Sequence, residues 1–252
     1  MAAVKQLGKV MSLKIGGVTQ NITQSNYDDS WNVIDVTDTS DTDTHEEAAG
    51  RATRTLQIDG IMRDAAGTTK LLGKTVTFVF NAVTYNLTDF TYDDSRDDID
   101  VTDSATDPNS TEFAAGLTKR KFTASMWLLD ITAEPPRNSP QTATLTLTSG
   151  VSVSGTLLIE SMKITGNVKD AQKVAVTGTF QGAITETAFG LVTGGASQAV
   201  VLQVANSITT TPKTFSGSAV LMQKNIKGNI KSDITVSYTL KFAGAVTEVQ
   251  AS

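Results

Sequence analysis

The residues best suited to chemistry in this chain are acids, and they come in two dense windows. Sixteen of the 26 acidic residues lie within 27–47 and 93–112, and the one base among them is Arg96. The run DTSDTDTHEE (38–47) has the carboxylate density of a calcium loop. It lacks the sharp-turn glycine and the closing bidentate acid of an EF-hand, and its counterpart DSATDPNSTE keeps fewer acids. Charge runs of this kind are usually solvated faces, so a solvated loop or an interface is expected. His45 is the only histidine and cysteine is absent, which excludes disulfides, thiolate metal sites and a His-rich metal centre built from one chain. GTTKLLGKT (67–75) resembles a phosphate-binding loop, but five residues separate Gly67 from Gly73 where four are required. A strand is also expected after it, where the motif must open a helix. No G-x-S-x-G elbow occurs. The sequons at Asn21, Asn86 and Asn109 fit chance in a Thr-rich chain with no recognisable secretion signal.

A hydrolase of glycans needs only two carboxylates, yet no aromatic-rich sugar-binding stretch accompanies these acids, and the chain has two Trp. The expectation is therefore a protein that is not an enzyme and carries no cofactor. With 252 residues and 39% hydrophobic composition, it can bury a core of one large or two ordinary domains. No apolar run approaches the roughly 20 residues of a membrane helix, and MAAVKQLGKV lacks the apolar core of a secretory signal, so a soluble, cytosol-made protein is expected.

The elements that position these acids are repeated. GKVMSLKIGGVTQNITQSNYDDS from Gly8 lies without a gap over GKTVTFVFNAVTYNLTDFTYDDS from Gly73, 65 residues on. After one inserted residue near Pro108, AAGRATRTLQIDGIMRD (48–64) lies over AAGLTKRKFTASMWLLD (114–130). This unit, A, spans 8–64 and 73–130. A second unit, B, follows: 154–186 lies over 216–248 at a constant offset of 62, with Gly155/Gly217, Phe180/Phe242 and Gly182/Gly244 coinciding. The order is A, A, B, B, with AEPPRNSP (133–140) at the junction. Two copies fall short of a solenoid.

Unit B reads as strand. Ile234, Val236, Tyr238, Leu240 and Phe242 alternate with polar residues, and Val174, Val176 and Phe180 keep the same parity. GNVKD and GNIKS are turn signals between such runs. Unit A predicts strands near 10–15, 18–27 and 54–62, with the acidic window as a long loop. Helix is expected to be scarce: the best stretch is short, about 65–72, and Gly67 weakens it. The fold class expected is mainly β, of sandwich or barrel type, with little helix.

In the loop IDVT, the later Gly-Leu and the closing QGAITE, the chain resembles the major tail tube proteins of long-tailed, siphovirus-like bacteriophages. Ile34–Thr37 and Ile99–Thr102 match the first element, Gly116-Leu117 the second with Gly50-Arg51 matching half of it, and Gly182–Thr185 and Gly244–Thr247 the last. The resemblance implies two tube-fold domains related by internal duplication. The expected division is 8–64 with 199–248 as a discontinuous outer domain around a nested 73–186. The alternative pairs 8–64 with 141–186 and 73–130 with 199–248. Family members form hexameric rings stacked into a hollow tube, so a double-length chain is expected to form trimeric, pseudo-hexameric rings. The implied setting is the virion tail. Its partners would be other copies of the chain, the tape measure, tail terminator and tail tip proteins, and DNA that passes through without specific binding. A calcium- or receptor-binding adhesin or baseplate-like module is the alternative function.

Charge adds an expectation about assembly. Residues 1–136 carry 21 acids and 12 bases, and 137–252 carry 5 acids and 9 bases. Asp35, Asp38, Asp41, Asp43, Asp100 and Asp103 are expected to meet Lys163, Lys169, Lys224, Lys227 and Lys231, with Lys173 nearby, across a head-to-tail contact.

Overall fold

A computed structural model describes residues 11–35, 47–64, 66–101, 113–127, 134–167, 170–188, 196–204 and 213–249. The alternation of β-branched and aromatic residues with Thr, Ser and charged residues builds strands almost throughout. Unit A gives β1 (Met11–Ile15), β2 (Val18–Gln20), β3 (Ile22–Asp35) and β4 (Glu47–Ile61), then β5 (Thr77–Phe80), β6 (Val83–Asp100) and β7 (Phe113–Trp127). Unit B gives β8 (Gln141–Thr148), β9 (Val151–Asn167) and β10 (Asp170–Thr187), then β11 (Gln198–Val204), β12 (Lys213–Asn229), β13 (Thr235–Phe242) and β14 (Thr247–Val249). All fourteen pair antiparallel in one continuous sheet.

That sheet folds into two strand circuits. In the first, β5, β6, β7, β10, β9 and β8 pair in turn, and β8 returns to β5. In the second, β1 pairs β2, β3 pairs β4, and the path runs on through β13, β12 and β11 back to β1. Among the described residues, no strand of 8–64 pairs with a strand of 141–186. The registers of the two circuits coincide. Val176↔Met162 and Val174↔Met126 in the first stand where Tyr238↔Lys224 and Val236↔Gly60 stand in the second. The irregularities coincide too: β6 slips at Leu87/Asp89 and Arg96/Asp98, and β3 slips at Ile22/Gln24 and Trp31/Val33.

The inward face of these strands forms one apolar core. Ile234, Val236, Tyr238, Leu240, Phe242, Val174, Val176 and Phe180 are all buried, as their period of two requires. Phe78 stacks near Phe80 and Phe122, with ring centroids 6.1 Å and 4.7 Å away.

Two local expectations fail. The acidic window opens as strand: YDDSWNVID lies in β3 and YDDSRDDID in β6. The opposing strand explains this, because Asp93, Asp94 and Ser95 face Lys121, Arg120 and Lys119 across the β6–β7 ladder, and opposite charges directly across a ladder stabilise it. Within the helix expected at 65–72, residues 66–72 form a turn. Gly67 has φ +72, the Asp64 carboxylate accepts the Thr68 backbone N–H at 2.8 Å, and Arg63 bridges to Lys70. A single 3-10 turn, Gly73–Thr75, follows it. A Cβ on Gly73 would lie 1.9 Å from the Asn229 carbonyl oxygen, so this glycine serves close packing; a strand follows it, with no helix opening. No helix among the described residues is long and apolar enough to cross a membrane.

Candidate assembly site

The two circuits meet where β12 of the second pairs with β6 of the first, from Gln223↔Ser95 to Asn229↔Asp89. Alternation sends Tyr92 and Asp94 from β6, and Lys224 and Ile226 from β12, to the inner face. β7 supplies Arg120, and the end of β10 supplies Glu186. Lys224 is 0% exposed, and its Nζ lies 2.6 Å from Glu186 Oε2. The Tyr92 hydroxyl donates to Glu186 Oε1 at 2.9 Å, and the ammonium sits 5.8 Å from the Tyr92 ring centroid. Arg120 Nε lies 3.6 Å from Asp94 Oδ1, and its Nη1 donates to the Gly182 carbonyl at 3.2 Å. Gly182 adopts φ +67, the left-handed region where glycine is favoured.

Burial holds the Lys224 ammonium below its usual range, against the pull of Glu186. Burial, with Glu186 and Asp94 adding to it, raises the Tyr92 phenol well above its usual range. On the outer face Gln223 Nε2 donates to Asp93 Oδ1 at 2.9 Å, and Lys241 pairs with Asp98. Neither Lys224 nor Asp94 has exposed surface, so solutes do not reach them, and the cluster acts as a tie between circuits. Removing one member of such a pair strands a buried charge, at a cost of about 3–5 kcal/mol.

The same constellation recurs in the second circuit, one strand short. Tyr27, Asp29 and Arg54 stand where Tyr92, Asp94 and Arg120 stand, since Asp29↔Arg54 matches Asp94↔Arg120 in register. Glu248 opposes Phe215 as Glu186 opposes Val153. Arg54 Nε lies 3.3 Å from Asp29 Oδ2, and Tyr27 meets Phe242 edge-on at 5.9 Å as Tyr92 meets Phe180 at 6.0 Å. Lys213, at the place Val151 holds in the other circuit, pairs with Glu248 at 3.0 Å. Burial, followed by the nearby Asp29 charge, pushes the Tyr27 phenol up to about 12. No strand stands on the far side of β3 where β12 flanks β6: among the described residues β3 pairs only with β4.

The residues singled out by charge are spread along the molecule. Asp35 ends β3 opposite Glu47, and Asp100 ends β6, exposed, opposite Phe113. Lys163 is exposed on β9, Lys173 on β10, Lys227 on β12 and Lys231 in the turn after β12. Asp38, Asp41, Asp43, Asp103 and Lys169 lie outside the described residues. Lys224 departs most from expectation: β12 runs unbroken through it, so it is a buried strand residue and not one of an exposed turn. Charge alone did not point to Tyr92, Asp94, Arg120 and Glu186. Their repetition as Tyr27, Asp29, Arg54 and Glu248 was the signal available. Among the described residues, no group of acids and histidine could hold a metal ion. No family model and no curated protein matches this chain in sequence.

Proposed function

We propose that this chain is a structural virion protein: a tail tube subunit whose internally duplicated tube fold forms trimeric, pseudo-hexameric rings, stacked into the conduit for DNA. The observation that supports this most is the β6–β12 ladder, which joins two circuits of coincident register edge to edge within one chain. Two neighbouring positions of a ring would be related in that way. In this reading 73–186 forms one tube-like unit, and 8–64 with 199–248 forms the other. The resemblance carried by IDVT, Gly116-Leu117 and QGAITE points the same way. A conduit should present few bases to passing phosphates, because Lys and Arg contacts give strong, salt-dependent binding.

Native mass spectrometry of the purified protein, read beside negative-stain images, tests the proposal. Three chains per closed species, with rings or tubes on the grid, are expected. A protein that stays monomeric across a wide concentration range overturns it.

A further inference from the structure

We infer that the outer edge of β3 and the distal edge of β9 are the two halves of a chain-to-chain junction, in a defined register, with a second copy of this chain as the occupant. The inference rests on the ring-forming reading and specifies its contact. Within the chain, β6 and β12 pair across the circuits. Among the described residues their counterparts, β3 and β9, have no such partner: β9 beyond Leu157 pairs there only with β10, and β3 only with β4. Unpaired edges of this length are a liability that proteins normally cover, and one strand added to an edge is a common recognition mode.

The internal ladder dictates the register of the external one. Asn225↔Asp93, Lys224↔Asp94 and Ile226↔Tyr92 become Lys163↔Asp28, Met162↔Asp29 and Ile164↔Tyr27 between chains. The chemistry fits at each place. Lys163 and Asp28 are both exposed and would lie directly opposite with opposite charge. Ile164 is 44% exposed whereas Ile226 is 0% exposed, so a buried position on the closed side has an open counterpart. Met162 would enter the pocket edge that Lys224 fills, beside Asp29, Arg54 and Glu248. An ammonium there would have to be desolvated at each association step, and a thioether does not carry that cost. Glu248 needs no ammonium from the neighbour, because Lys213 already pairs with it.

The chain has no cysteine, so the register can be read by engineered disulfides. Asp28→Cys with Lys163→Cys is expected to give, on mild oxidation, covalent oligomers that replace the monomer band on a non-reducing gel. Asn26→Cys with Ser161→Cys, four residues out of register, is expected to give none. Separately, Asp28→Lys should slow assembly about tenfold, and Asp28→Lys combined with Lys163→Asp should restore it. Rings that form without the in-register cross-link, or that cross-link equally at both pairs, overturn this junction and leave the ring reading standing. A protein that never leaves the monomer overturns both.

Discussion

The clusters around Tyr92 and Tyr27 are built from the same residue types on strands of the same register, yet one is closed and the other open. Around Tyr92 a flanking strand brings Lys224, and the ammonium and Asp94 are fully buried beside Glu186, whose side chain is 12% exposed. Around Tyr27 no such strand stands among the described residues, Glu248 turns to the surface lysine Lys213, and the phenol is only part-buried. Burial of a charge therefore follows the neighbouring strand and not the local sequence. At the place that Lys224 fills, β9 carries Met162, which suits the proposed partner that arrives after folding.

The largest effect should come from removing the carboxylate in each cluster. Glu186→Gln leaves Lys224 buried without its partner and should lower the unfolding free energy by about 3–5 kcal/mol. Glu248→Gln breaks an exposed pair and should cost about 0–1 kcal/mol. Urea midpoints of the two variants at one pH measure the gap, and equal losses would erase the distinction drawn here.

A smaller contrast concerns the glycines near the two strand ends. A Cβ on Gly228 would sit 2.3 Å from the Phe90 ring, whereas one on Gly166 meets only the Gln172 side chain at 3.2 Å. Gly228→Ala should cost about 1–3 kcal/mol through overpacking. Gly166→Ala should stay within about 0.5 kcal/mol. Thermal or urea unfolding of the unassembled chain tests both.

The smallest effect lies in alkaline pH. The Tyr27 phenol ionises near 10 in the unfolded chain and near about 12 in the folded one. The folded state then binds the proton more tightly, so its contribution is complete below pH 10 and is lost as pH rises towards 12. Lys224 acts in the opposite sense, because a depressed folded value makes stability rise with pH towards the unfolded value. Tyr27→Phe should therefore remove part of the decline between pH 10 and 12 and leave the Lys224 contribution intact. Urea midpoints across that range decide it. In the proposed assembly, cover by the neighbouring chain's Ile164 would carry the Tyr27 titration higher still.

Much of the fold was readable in the chain because its period-two runs and repeat offsets are local signals: Ile234 to Phe242 are buried in the order their spacing demands. The strand character of YDDSRDDID was not readable, since it depends on Lys119, Arg120 and Lys121 lying opposite, a pairing that only the folded ladder brings about. The closed cluster was hidden for the same reason. Tyr92 and Glu186 are 94 residues apart, and Lys224 lies 38 beyond Glu186, distances over which composition carries no signal.

The β6–β12 ladder also bears on counting. Each chain brings its two units already joined, so any head-to-tail ring of whole chains holds an even number of positions. Five- and seven-membered miscounts, which single-unit subunits must avoid by fine adjustment of angle, are forbidden by parity. In the proposed six-position ring, half of the junctions would form at the high effective concentration of one chain's own parts, so closure would be an encounter of three bodies in place of six.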